Sequence, residues 1–128
     1  MQKQSEILDL LKKIKENAYV PYSHFKVGAV LITKEGKIYT GCNIENDGIM
    51  SICAERVAFV KAISEGEKEF SSIYVLGDKE ETTPCGYCRQ FMSEFVKPDF
   101  KIYVGNQRTG TFKEYTIREM LPFNFELK

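Results

Sequence analysis

Residues 53–66 read Cys53-Ala54-Glu55-Arg56-Val57-Ala58-Phe59-Val60-Lys61-Ala62-Ile63-Ser64-Glu65-Gly66, and a short way on come Ser72-Ile73-Tyr74-Val75-Leu76-Gly77. The first stretch is apolar around most of its circumference and stops at a glycine, which predicts a buried helix over Cys53–Glu65. The second is a short β-rich apolar run, which predicts a core strand. A buried helix feeding a buried strand points to a layered α/β domain.

The flanks extend that pattern. Upstream, Val27–Thr33 and Ile38–Ile44 are strand-like, and Lys34-Glu35-Gly36-Lys37 is short enough to join them as a hairpin. Before them, Ile7, Leu10, Leu11 and Ile14 recur at helical spacing, with Lys12, Lys13, Lys15 and Glu16 assigned mostly to the opposite face. That helix should stop before Pro21. Downstream, Gly86–Val96 is amphipathic through Phe91, Met92 and Phe95, and Pro98 closes it. Lys101–Val104 and Thr111–Tyr115 read as strands and Ile117–Leu121 as a terminal helical turn. The order α-β-β-α-β-α-β-β-α predicts helices packed on a mixed central sheet, in one domain over residues 1–128.

Composition narrows the function. The chain has 128 residues, of which 43% are hydrophobic, enough to fill a single core and too many for a disordered polymer. Lys+Arg 18 balance Asp+Glu 18, so no general electrostatic footprint for a nucleic acid or an anionic membrane exists. The longest apolar run, Val27–Ile32, falls far short of the roughly 20 residues that span a bilayer. Residues 1–16 mix Lys, Gln and Glu with spaced Ile and Leu, which is not the continuous apolar stretch of a secretory signal. Without export, Cys42, Cys53, Cys85 and Cys88 are expected as reduced thiols, and a Cys-x-x-Cys pair then points to metal or redox chemistry.

Cys53 and Pro84-Cys85-Gly86-Tyr87-Cys88 both place cysteine at a predicted helix start, where free N–H groups and the helix dipole favour thiolate. Cys85 and Cys88 lie one turn apart and can converge on one ion. A buried helix could return Cys53 to the same point. Three thiolates leave the fourth position of a zinc tetrahedron to water, as in catalytic sites. Glu55 stands two residues past Cys53 on another azimuth, near the metal without being an obvious ligand, and fits a general acid/base. Three thiolates on Zn²⁺ leave a net negative centre, which Arg56 or Arg89 would offset. Other readings of the same residues stand beside these. The Cys-x-x-Cys pair serves equally in a dithiol redox centre or a closed structural zinc site, with Cys42 or His24 as its fourth ligand. Cys42 also reads as a small buried hydrophobe and His24 as a surface turn residue.

With these motifs in place, the chain resembles the zinc-dependent cytidine deaminase superfamily, in particular its small homotetrameric members with three cysteine ligands. Cys-Ala-Glu-Arg at 53–56 and Pro-Cys-Gly-Tyr-Cys-Arg-Gln at 84–90 carry the resemblance. Pro21-Tyr22-Ser23-His24-Phe25-Lys26-Val27-Gly28-Ala29, Thr40-Gly41-Cys42-Asn43-Ile44-Glu45-Asn46 and Glu119-Met120-Leu121-Pro122-Phe123-Asn124-Phe125 extend it over nearly the whole chain. The resemblance implies a three-layer α-β-α domain in which Cys53, Cys85 and Cys88 hold Zn²⁺ and Glu55 carries protons. It further implies Asn43 and Glu45 on the ribose hydroxyls, Phe25 on the pyrimidine ring and the Ala54 N–H on the base. Arg56 would bond ligand sulfur, and Phe125 would enter a neighbouring subunit's pocket in a homotetramer. Without the resemblance, Phe25 and Phe125 read as core residues, and Asn43 and Glu45 as turn and surface residues. The implied activity is hydrolytic deamination of cytidine and 2′-deoxycytidine in cytoplasmic pyrimidine salvage, with a small nucleoside as the partner and neither nucleic acid nor membrane.

One stretch departs from the pattern. Asp47-Gly48-Ile49-Met50-Ser51-Ile52 is about one residue shorter than the family's usual connection and lacks its tyrosine. This keeps open a different cytosine-bearing substrate such as blasticidin S. A non-catalytic zinc protein predicts four protein ligands, and a thiol redox protein predicts a reversible Cys85–Cys88 disulfide and no metal.

Overall fold

The computed structural model describes residues 3–48 and 51–127. In chain order its elements are α1 (Gln4–Lys15), β1 (Val27–Thr33), β2 (Ile38–Cys42), α2 (Ala54–Ser64), β3 (Phe70–Gly77), α3 (Gly86–Ser93), β4 (Lys101–Gly105), β5 (Phe112–Thr116) and α4 (Ile117–Met120). The expected order of elements is therefore the observed one. The five strands form one mixed sheet in the order β2-β1-β3-β4-β5, with β3 and β4 parallel and the other neighbours antiparallel.

Alternation along the central strands builds the layers. Ala29 and Leu31 of β1, with Ile73 and Val75 of β3, face a core shared with Ala54, Ala58, Phe59 and Ala62 of α2 and with Cys88 and Met92 of α3. Val30, Tyr74 and Leu76 point the other way, onto Ile7 and Leu11 of α1. Both faces of β1 and β3 are thus covered, which is why these strands read as continuous apolar runs. The result is the expected three-layer α-β-α arrangement. No described helix is long and apolar enough to cross a membrane.

Several local expectations are corrected. Lys15 does not lie on the outer face of α1; it is 3% exposed, on the stripe that it forms at four-residue intervals with Ile7 and Leu11. Helix α2 is buried on one side only, because Ala54, Ala58 and Ala62 recur every fourth residue toward the sheet, and Val60 is turned to solvent. Strand β2 ends at Cys42 because only half of the next rung forms: the Asn43 N–H reaches the Val27 carbonyl at 3.3 Å, but the Val27 N–H is taken by the Asn43 side chain and the Asn43 carbonyl accepts from Tyr19 instead. The last turn expected of α3 unwinds from Glu94 as the chain approaches Pro98.

Two glycines seat α2. Gly66, at φ +96°, takes the left-handed conformation that closes the helix, with its N–H on the Ile63 carbonyl. Gly41 lies beneath the first turn: a Cβ there would stand 2.4 Å from the Ala54 carbonyl oxygen and 2.6 Å from the Ala58 nitrogen. Only a glycine allows β2 to approach so closely, and that approach sets where residue 53 stands.

Candidate metal centre

Cys53 and Cys85 are the N-cap residues of α2 and α3, which pack against each other, so two helix starts face one point. Cys88 lies in the first turn of α3 and is fully buried. The three sulfurs lie within 4.8 Å of one another. Cys53 Sγ and Cys85 Sγ are 3.8 Å apart, and the Cys88 N–H donates to Cys85 Sγ at 3.4 Å. A tetrahedron with zinc–sulfur bonds of about 2.3 Å has an edge of about 3.8 Å, so the donor set fits zinc in both chemistry and spacing. Among the described residues no fourth cysteine, histidine or carboxylate joins the cluster. In particular, Cys42 sits in β2, and His24 is an exposed residue in the left-handed region, at φ 58°. Neither closes the site, which removes the basis for a four-ligand structural centre.

Negative charge is already favoured here. The Cys53 thiol is lowered to about 5 by a hydrogen bond from Cys88 and by further bonds from Arg56 and Cys85, which together outweigh its burial. Cys88 is pushed the other way, by that same bond to Cys53, by burial and by the charge of Glu55. One charge is shared between two sulfurs, and a divalent ion would release the remaining protons. Arg56 Nη2 lies 3.6 Å from Cys53 Sγ and also donates to the Ser51 carbonyl at 3.2 Å.

Glu55 is 3% exposed and lies outside the sulfur cluster but within its field. Burial raises its carboxyl to about 7, the Cys53 charge adds to the rise, and its own backbone N–H and Arg56 oppose it. Such a group exchanges a proton near neutrality.

Of the remaining expected site residues, Phe25, Asn43 and Glu45 gather around the segment 21–27. Ile44 and Ile52 pair antiparallel through bonds of 3.0 and 2.9 Å, which brings the end of β2 beside Cys53. Glu45 accepts from the backbone N–H groups of Tyr22 (3.1 Å) and Ser23 (3.2 Å) and from the Ser23 hydroxyl. The Ser23 bonds and the Tyr22 N–H keep its carboxyl below the usual range. Asn43 donates to the Phe25 carbonyl at 2.8 Å and accepts from the Val27 N–H at 2.9 Å. Phe25 packs half-buried against the core edge. A shallow depression lined by Tyr22, Glu45, Asn46, Asp47, Gly48 and Ser51 lies alongside; Ile49 and Met50 of the shortened connection fall outside the described residues. Ala54 is buried at the first position of α2. Phe125 is 66% exposed and is held by Gln90, which donates to its carbonyl at 2.9 Å and accepts from its N–H at 3.4 Å. It lines a cavity of about 390 Å³ between the end of α3 and the tail, away from the sulfurs.

The sequence reading did not single out Tyr87, whose ring lies 4.3 Å under the Arg56 guanidinium carbon, or the pair Lys15–Asp78 at 2.7 Å. Tyr87 sits inside the Cys-x-x-Cys and was readable as a neighbour of the metal. Lys15 carried a signal in its fourfold spacing from Leu11.

An α/β layered domain with a sulfur triad at two helix starts and a buried carboxyl beside it defines a zinc-site enzyme of the hydrolase type. The sequence model for the cytidine and deoxycytidylate deaminase zinc-binding region matches residues 1–104, and the chain belongs to that family. A cytidine deaminase of Sporosarcina psychrophila is 47% identical over 116 residues, covering 89% of this chain and 85% of the relative. Another, of Halalkalibacterium halodurans, is 47% identical over 113 residues, covering 87% and 85%. The crystal structure of cytidine deaminase from Burkholderia pseudomallei has a TM-score of 0.90 at 38% identity, covering 97% of this chain and 100% of that one.

Proposed function

We propose that this chain hydrolytically deaminates cytidine and 2′-deoxycytidine to the corresponding uridines and ammonia. The observation that carries this reading is the meeting of three thiols, all sulfurs within 4.8 Å, with a buried carboxyl raised to about 7. Cys53, Cys85 and Cys88 would hold the zinc. Zinc in such a site supplies Lewis acidity, which brings the ionisation of a water into the neutral range.

The proton traffic belongs to Glu55. It takes one proton from the attacking water and passes it to ring N3, then takes the second from the C4 hydroxyl so formed and passes it to the departing amine, so a C4–O bond forms, the C4–N bond breaks and ammonia leaves. The Ala54 N–H, without a partner inside the helix at its first position, donates to the base. Phe25 packs on the pyrimidine ring. Asn43 keeps one amide hydrogen and one lone pair beyond its two backbone bonds, and with Glu45 it serves the ribose hydroxyls. Arg56 offsets the negative sulfur cluster. We read residues 1–128 as one domain working in cytoplasmic pyrimidine salvage. The assembly is a homotetramer, in which the exposed Phe125 reaches a neighbouring subunit.

The test is kcat/KM for cytidine, 2′-deoxycytidine, blasticidin S, dCMP and adenosine on zinc-loaded protein, followed by the loss of cytidine absorbance and the release of ammonia. The two nucleosides should lead; no turnover of either overturns the reading. Sedimentation measures the assembly, and a monomer removes Phe125 from the site.

A further inference from the structure

The peptide group between Phe25 and Lys26 is gripped at both ends. Its carbonyl accepts from Asn43 at 2.8 Å, and its N–H donates to Asp78 Oδ2 at 2.7 Å. The Phe25 N–H is held as well, by the Ser23 hydroxyl at 3.1 Å, and Ser23 is in turn bound by Glu45. Asn43, Ser23 and Glu45 come from the stretches already assigned to the site. Asp78 does not: it is the first residue beyond β3, on the far side of the segment.

Asp78 is itself fixed from below. Its Oδ1 lies 2.7 Å from Lys15 Nζ, which also donates to Gln107 Oε1 at 2.9 Å and to the Gly77 carbonyl at 3.3 Å. All three ammonium hydrogens are thereby used on a side chain only 4% exposed. A buried ammonium with one carboxylate partner holds that carboxylate in a single place, because separation would leave an uncompensated charge in the interior. Burial would raise the Asp78 carboxyl, yet the bonds from Lys15 and the Lys26 N–H keep it below its usual range, so it stays a charged acceptor. Lys15 therefore fixes Asp78, and Asp78 fixes the plane of the peptide that follows Phe25.

We propose that Asp78, anchored by Lys15, is a positioning residue that orients the Phe25 ring for the substrate base, by holding the Phe25–Lys26 peptide opposite Asn43. This rests on the reading above in which Phe25 packs on the pyrimidine. Asp78 touches no reacting atom, so its influence falls on substrate binding and leaves the zinc centre and the proton carrier alone.

The experiment is a double-mutant cycle on zinc-loaded protein with cytidine, using Asp78→Ala, Phe25→Leu and the double variant, with KM, kcat, bound zinc and Tm for each. Phe25→Leu keeps apolar bulk and removes the ring. Asp78→Ala should raise KM about tenfold, with kcat within about twofold and one zinc per chain retained. The double variant should have the KM of Phe25→Leu alone, since the grip has no ring left to orient. Three results overturn the proposal: an unchanged KM in Asp78→Ala while Phe25→Leu raises it, KM effects that multiply in the double variant, or loss of zinc from Asp78→Ala. An unchanged KM in Phe25→Leu removes the role of Phe25 itself and the proposal with it, and is told apart from the other results by that single variant. Should Asp78→Ala not fold, Asp78→Asn carries the same cycle: it keeps the shape, but its NH₂ must face either Lys15 or the Lys26 N–H.

Discussion

Arg56 lies between a sulfur and a ring: its Nη2 is 3.6 Å from Cys53 Sγ, and its guanidinium carbon is 4.3 Å from the centre of the Tyr87 ring. The sulfur bond joins the metal centre to a fixed positive charge, and the ring limits where that charge can move. Three thiolates around a divalent ion carry a net negative charge, so a cation at this distance stabilises the loaded state. Sulfur likewise strengthens the arginine's hold on its proton, against the cost of burial.

Arg56→Gln should therefore weaken zinc binding about 10- to 100-fold, the usual cost of losing a group that bonds a ligand. Tyr87→Ala should weaken it by only about two- to fivefold, since a partly exposed cation–π contact contributes about 0.5–1 kcal/mol. Competition with a chromophoric chelator measures both. Equal losses would mean that Tyr87, not the charge, sets the geometry.

Glu55→Gln should keep one zinc per chain and lower kcat by about 10²- to 10⁴-fold, the range for a positioned proton carrier. Zinc analysis and steady-state kinetics decide it together. Retention of most of the activity would move proton transfer to another group.

The same residue gives a pH signature in the metal-free chain. Its carboxyl is raised from 4.5 to about 7, so the folded state holds this proton more tightly than the unfolded state does. The stabilisation is complete below pH 4.5 and is lost as pH rises through 7, by roughly 3 kcal/mol in all. Cys53, lowered from 9.0 to about 5, contributes with the opposite sign between pH 5 and 9, which overlaps the upper part of that range. Subtracting Glu55→Gln isolates the glutamate: relative to that variant, metal-free wild type should lose stability from pH 4.5 to 7 in urea denaturation. A constant difference over that range would place the carboxyl in a solvated environment.

What the sequence makes legible is what repeats locally. Val27–Thr33 has the predicted bounds because a strand covered on both faces leaves an unbroken apolar run. The sulfur triad was readable because cysteines at two helix starts have few other uses in a reduced chain. Lys15 was misplaced because a charge on an apolar stripe looks like an exposed residue until its partner is known, and Asp78 lies far along the chain. The bonds of Asn43 and Glu45 to the 22–27 backbone were hidden for the same reason. Side-chain-to-backbone contacts between distant segments have no period. The outward flank of α2 was missed because helical wheels rank polarity, whereas the three alanines are inside for their size.

Size also governs the last prediction. Gly41 allows β2 to meet α2 with no side chain between them, and a methyl group there would stand 2.4 Å from the carbonyl oxygen of Ala54, the residue next to Cys53. Both obstacles are backbone atoms of the helix's first turns, so the clash cannot be relieved by a rotamer change, and the start of α2 must move. Gly41→Ala should thus cost about 1–3 kcal/mol of stability, as overpacking does. It should also weaken zinc binding, because Cys53 moves while Cys85 and Cys88 stay with α3. A milder overpacking control with no link to the sulfurs is Gly105→Ala, whose Cβ would meet the end of the Leu76 side chain at 2.9 Å on the opposite core, where a rotamer change can give way. That variant should lose less stability than Gly41→Ala and keep its zinc affinity. If chelator competition gives both variants wild-type affinity, the approach of β2 to α2 serves packing alone and does not set the position of the metal ligand.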